Sequence, residues 1–295
     1  MYPDEFDYHR ARSVDHAVEL LAKNPDAEVL AGGHSLLPMM KSGLADPPML
    51  VDIGELDELR RIDHASDTSA IGALVTYSRL MEDDTLRKRV PLVAETTEVI
   101  GDVQVRNRGT IGGNLAHADP ASDMPATALA LDATLVIRGP DGERTVPAGD
   151  FFHGMYMTDV GEAELLARVE VDRNGTSTGS AYRKKASPSS GYALVGVAAV
   201  LETDDGAVES ARVAANGVMD HPVRLGPVEA ALEGATLSEE TIETAAEDAA
   251  ANLNEMMLMD DMQASGEFRG QLLEVYTERA LTAAMERAGG SAAAD

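Results

Sequence analysis

A chain of 295 residues with 51 acidic against 24 basic side chains carries a formal charge of −27 at pH 7, which excludes nucleic acid and anionic membrane surfaces as natural partners. Its hydrophobic content of 44% supports a packed core rather than disorder, and the absence of cysteine excludes disulfides, thiolate catalysis, Cys-ligated zinc and any iron–sulfur cluster held by this chain alone. No stretch approaches the roughly 18–20 apolar residues of a membrane span, and the N-terminal MYPDEFDYHRA lacks the pattern of a secretion signal, so a cytoplasmic protein is expected.

Only five of the basic residues are lysines, Lys23, Lys41, Lys88, Lys184 and Lys185, the rest being arginines. A lysine-poor, strongly acidic surface suits a halophilic protein built for concentrated salt, where self-repulsion is screened; the alternative is an ordinary acidic enzyme.

Along the chain, Ser13 is placed to cap a helix whose Val14, Ala17, Val18 and Leu21 fall at i, i+3, i+4 and i+7, and Asn24-Pro25 stops it. The short strand EVLA runs directly into Gly32-Gly33. SLLPMMK, a strand around MLVDI and apolar runs at 70–74 and 134–138 follow, interleaved with helical segments near residues 77–83 and 85–99, an alternation of α/β character. From about Ser177 the texture changes. SAYRKK, YALVGVAAVLE and VESARVAA read as strands of a small antiparallel sheet, the last two joined at the turn signal DDGA. Pro227 and Ser238 open helices, and Phe268, Leu272, Val275 and Arg279 stand at near-helical spacing in a final helix, with Leu281 and Met285 following. A C-terminal α+β domain over 177–290 is expected, with a frayed tail at 291–295.

Two glycine-rich stretches carry the chemistry: AGGHS at 31–35, just after a strand, and TIGGN at 110–114, just after RNRG. Successive backbone N–H groups without Cβ atoms in the way form concave anion sites, and two such loops are suited to the two phosphates of one dinucleotide. Neither is GxGxxG or a Walker A pattern, and a lone Gly-Gly is more often a tight turn. The histidines show no HxxxH or His-rich spacing, so no metal site is expected, and no GxSxG elbow is present.

With their flanks the loops become specific. AGGHSLLPMMK and TIGGNLAHADPASDMPA resemble the first and second FAD-binding loops of the FAD-binding medium subunits of the molybdenum hydroxylases, the family of carbon monoxide dehydrogenase and xanthine dehydrogenase. LLARVEV and AYRKKASPSSGYALVGVA continue the resemblance into the C-terminal domain, over residues 1–290. The KKASPSSGYA segment is similar to that of the carbon monoxide dehydrogenase branch, with Ser189 in place of the usual alanine.

The resemblance implies an α+β chain: a vanillyl-alcohol oxidase/p-cresol methylhydroxylase-type FAD-binding region of two α/β subdomains, 1–60 and 61–176, followed by the C-terminal domain. It implies that Ala31, Gly32, Gly33, His34 and Ser35, with Thr110, Ile111, Gly112, Gly113 and Asn114, line the pyrophosphate and ribityl chain of FAD. Asp123 matches an acidic contact to the adenosine ribose, while the residues alone also allow a helix N-cap there. Ile100 and Leu166 match apolar contacts, the latter also readable as a core strand residue. Lys184, beside Lys185, matches a cation near the flavin ring or a phosphate. Tyr192 matches an aromatic residue against the ring, or a strand residue packed on the C-terminal sheet.

The function implied is electron transfer. A molybdopterin-containing large subunit oxidises the substrate, a [2Fe–2S] small subunit relays electrons, and FAD passes them to an external acceptor, a quinone or other. A xanthine or aldehyde dehydrogenase FAD subunit and a stand-alone flavin oxidase are the alternatives.

Overall fold

The computed structural model describes residues 2–289; the expected frayed tail at 291–295 lies outside the described residues. The N-terminal part forms β1 (Asp7–Arg10), α1 (Val14–Lys23), β2 (Ala27–Leu30), α2 (Leu36–Ser42) and β3 (Met49–Asp52). Ser13 caps α1, its Oγ accepting from the His16 N–H at 3.1 Å, and Val14, Ala17, Val18 and Leu21 turn inward as their spacing requires. The three strands pair in the order β1-β3-β2, all parallel. The loop at 31–35 therefore leaves the carboxyl end of an outer strand, where open parallel sheets present ligand sites.

The middle part runs β4 (Ile62–His64), β5 (Thr68–Gly72), α3 (Tyr77–Glu82), α4 (Asp84–Arg89), α5 (Pro91–Glu98), α6 (Val103–Arg106), α7 (Ile111–His117), α8 (Asp123–Ala130), β6 (Thr134–Gly139), β7 (Gly142–Pro147), β8 (Phe152–Gly154), β9 (Met157–Thr158) and β10 (Leu165–Asp172). The segment expected as one helix over 85–99 is two, because Val90 leaves helical geometry ahead of Pro91. The strand–helix alternation gives parallel pairing only in the first sheet. Here the order is β4-β5-β10-β6-β7 and every pairing is antiparallel, with β10 returning from far along the chain to become the central strand.

The C-terminal part comprises β11 (Thr178–Ala186), β12 (Ala193–Asp204), β13 (Ala207–Asn216), β14 (Val223–Arg224), α9 (Gly226–Leu232), α10 (Glu239–Glu247) and α11 (Gly266–Gly289). The sheet is antiparallel in the order β11-β12-β13-β14. Residues 193–201 of β12 are all buried because both faces are covered. Ala198 and Val200 join the core of the middle part, whereas Val195, Val197, Ala199 and Leu201 pack with residues of α9, α10 and α11.

The face of α11 departs from expectation. Phe268 and Val275 are exposed, and the buried stripe is Arg269, Leu273, Thr277, Ala280, Leu281 and Ala284. Arg269 occupies an interior position because its guanidinium donates to Leu194 O at 2.6 Å, Gly217 O at 2.8 Å and Asp261 Oδ2 at 2.8 Å, so burial leaves its charge paired.

Candidate functional site

A cavity of about 830 Å³ opens where the three parts meet. The first loop, the start of α7, the β10 residue Leu166 and the turn ending at Tyr192 all contribute to its wall. Of the residues singled out from sequence, Ala31, Gly32, Gly33, His34, Ser35, Ile100, Thr110, Gly112, Gly113, Asn114, Asp123, Leu166 and Tyr192 line it, and Ile111 and Lys184 do not.

The two glycine loops work differently. In the first, the N–H groups of Gly32, Gly33, His34 and Ser35 have no acceptor among the described residues, so four consecutive main-chain donors are uncommitted beside the cavity. Gly33 has φ +71°, a conformation that glycine adopts without steric cost. Gly32 is required for packing, since a Cβ there would lie 2.2 Å from Arg108 O in the segment just before the second loop. The His34 ring contacts the Gly32 carbonyl oxygen at 3.1 Å, which holds the loop closed on itself.

The second loop is largely satisfied internally. The N–H groups of Ile111 and Gly112 donate to Val75 O and Ala73 O, at 3.0 and 2.9 Å, and those of Gly113 and Asn114 to Thr110 Oγ1 and Thr110 O, at 3.1 and 3.0 Å. Gly112 lets α7 press onto the segment after β5, where a Cβ would meet Ala73 Cβ at 2.3 Å. This loop therefore offers side chains rather than main-chain donors. Thr110 Oγ1 accepts from the Gly113 N–H while its own proton has no acceptor among the described residues, and Asn114 carries a buried Oδ1 without a hydrogen-bond partner. Ile111 points into the core, 3% exposed, which corrects its place in the expected lining.

Asp123 and Lys184 meet each other. Asp123 is the first residue of α8, not its cap, and its carboxylate accepts from the Tyr182 hydroxyl at 2.6 Å and from Lys184 Nζ at 2.9 Å. Burial pushes the Asp123 carboxyl above its ordinary range, against the opposing pull of Lys184 and Tyr182. Lys184 Nζ donates in addition to Gly191 O at 2.9 Å. The lysine stands behind the cavity wall, neutralising Asp123 and tethering the turn before Tyr192. Tyr192 itself is 41% exposed, so an aromatic face is available at the opening.

Sequence reasoning missed Tyr77, a buried ring in the wall, and Tyr156 on the turn between β8 and β9. No motif surrounds either residue. Their only signal is the scarcity of aromatics, 4% of the chain.

The fold, with its cavity between glycine loops and a C-terminal sheet, is that of an FAD-binding protein of the p-cresol methylhydroxylase type. Residues 4–172 match the family described as FAD binding domain in molybdopterin dehydrogenase, and residues 180–284 that described as CO dehydrogenase flavoprotein C-terminal domain. The carbon monoxide dehydrogenase medium chain of Hydrogenophaga pseudoflava is 39% identical over 288 residues, covering 97% of this chain and 99% of the relative. The glyceraldehyde dehydrogenase medium chain of Sulfolobus acidocaldarius is 37% identical, covering 95% and 98%. A solved carbon monoxide dehydrogenase chain from Hydrogenophaga pseudoflava superposes with a TM-score of 0.94 at 40% identity, covering 97% of this chain and 99% of that one. The chain belongs to the family of FAD-binding medium subunits of the molybdenum hydroxylases, and its cofactor is FAD.

Proposed function

We propose that this chain is the electron-transfer subunit of a carbon monoxide dehydrogenase-like complex, in which a molybdopterin-containing large subunit oxidises the substrate and a [2Fe–2S] small subunit delivers electrons to the flavin. The observation that carries this reading is the run of four uncommitted N–H groups at 32–35 facing a cavity large enough for a dinucleotide. The residues present fit FAD: main-chain donors suit a pyrophosphate, and the Thr110 hydroxyl and Asn114 amide suit ribityl or ribose hydroxyls. When bound, FAD supplies acceptance of two electrons and their release to an external acceptor such as a quinone.

The chain's own residues then bind and orient. The first loop holds the anionic centre through its main-chain donors, Gly113 keeps a Cβ out of the cavity wall on the second loop, and Tyr192 offers a face for a planar ring. Asp123 acts from the wall with its charge balanced by Lys184, and Ile100 and Leu166 exclude water on the apolar side. The division 1–60, 61–176 and 177–290 fits this assignment, since each part contributes to one cavity. A cytoplasmic, salt-adapted protein is part of the same proposal, supported by the −27 charge and the scarcity of lysine.

Substrate-driven bleaching of flavin absorbance tests the relay. It is expected when the partner subunits are present and absent with the isolated chain; bleaching by the isolated chain would establish a stand-alone oxidase instead. The glyceraldehyde dehydrogenase relative favours a second reading, an aldehyde-oxidising complex. Bleaching of the assembled complex by aldehydes but not by carbon monoxide would select it.

A further inference from the structure

We propose that Tyr156, backed by His117, forms a second aromatic wall of the cavity against which a planar ring of FAD rests. The proposal deepens the FAD reading and depends on it.

Backbone geometry is the first observation. Among the described residues four non-glycines have positive φ: Ala118, Asp132, Tyr156 and Asp205. Aspartate tolerates the left-handed region in turns, whereas alanine and tyrosine seldom adopt it. The two unusual residues meet: the Tyr156 N–H, at φ +57°, donates at 3.2 Å to the carbonyl of Ala118, at φ +48°. Two unfavourable conformations are thus concentrated where α7, which begins in the second glycine loop, ends against the turn between β8 and β9. Strain held at a cavity rim is characteristic of binding sites.

The ring gives the second observation. Tyr156 lies 4.9 Å from the His117 ring, centroid to centroid, at 44°, and both residues line the cavity. Burial holds the His117 imidazole below its ordinary pKa, so the ring behind Tyr156 is neutral at pH 7. Yet Tyr156 is 48% exposed, and Met155 and Met157 beside it are 45% and 60% exposed. Contacts with His117 and Asp119 leave about half of the side chain uncovered, and glycine or asparagine would serve a plain turn better. What tyrosine adds is an aromatic face at the cavity, as Tyr192 does at 41% exposure.

The test uses the purified complex stripped of FAD and titrated with FAD, riboflavin and ADP, with thermal melting of each ligand-free variant alongside. Tyr156→Phe is expected to bind FAD within about twofold of the parent. Tyr156→Gly, which removes both ring and strain, is expected to melt no lower than the parent while FAD binding weakens roughly tenfold, the scale of one lost stacking contact. A parallel loss for riboflavin places the isoalloxazine on this wall, and a parallel loss for ADP places the adenine there. Undiminished FAD binding by Tyr156→Gly would overturn the wall alone. A parent that takes up no FAD would overturn the FAD reading together with it.

Discussion

Lys184 Nζ stands 2.9 Å from Asp123 Oδ2, with side-chain exposures of only 7% and 6%, so two buried charges behind the turn before Tyr192 neutralise each other. One residue comes from β11 and the other from the start of α8, which ties the C-terminal sheet to the cavity wall. Removing one member strands the other charge in a buried site, a cost of about 3–5 kcal/mol. Lys184→Met should destabilise the chain by that order in denaturant titrations. The double variant Lys184→Met with Asp123→Asn should recover much of the loss. Equal instability of single and double variants would show that the pair is not the origin.

The glycines separate packing from ligand approach. In Gly32→Ala the new Cβ would press on Arg108 O, which cannot retreat without moving the second loop, so stability should fall by about 1–3 kcal/mol along with FAD uptake. In Gly113→Ala the nearest atom is Thr110 Oγ1 at 2.7 Å, the acceptor that caps α7 through the Gly113 N–H, so the cap must shift, a cost that alanine's helix preference offsets in part. That variant should lose less stability than Gly32→Ala and still lose FAD affinity. Melting curves and FAD titrations of the two proteins distinguish these outcomes, and unchanged affinity in Gly113→Ala would remove the second loop from the site.

Short-range features of this chain were legible from its residues and long-range ones were not. Ser13, Asn24 and the spacing of Val14 to Leu21 define α1 locally, and Gly32-Gly33 after EVLA marks the loop that lines the cavity. The position of β10 between β5 and β6 depends on pairing across much of the chain, and Asp123 meets Lys184 across a separation of 61 residues. Periodicity alone did not define the buried face of α11. It picked out Phe268 and Val275, which are exposed, and passed over Arg269, which three acceptors from other elements make a buried residue. Such acceptors become visible only once the fold has assembled.

Glu95 gives an acid-sensitive link between domains. From α5 its carboxylate accepts from Arg183 of β11 and, at 2.6 and 2.9 Å, from Arg287 of α11. Burial pushes its pKa up, but hydrogen bonds from Arg287 and Arg183 outweigh this and hold it below the ordinary value. A depressed carboxyl contributes stability that is present above its unfolded pKa, about 4.3, and is lost as pH falls through the folded value. The arginines are partly exposed, so the expected contribution is about 1 kcal/mol. Glu95→Gln should be less stable than the parent by that amount at pH 7 and lose the deficit below pH 4. A deficit equally large at pH 3 would assign it to packing rather than charge.

Salt should stabilise this chain, and the sign follows from which electrostatic contribution is larger. Surface pairs such as Arg10 with Glu55 at 3.0 Å and Lys23 with Glu19 at 3.7 Å contribute little in solvent and are themselves weakened by salt. Against them stands a net charge of −27, whose mutual repulsion acts between many more pairs and over longer distances. As the screening length falls from about 10 Å at 0.1 M salt to about 3 Å at 1 M, the long-range repulsion disappears before the short-range attractions do. The buried Lys184–Asp123 pair is sheltered from the change. Melting temperature and FAD retention should both rise between 0.1 and 1 M sodium chloride. A melting temperature that stays level or falls over that range would return the chain to the class of ordinary acidic enzymes.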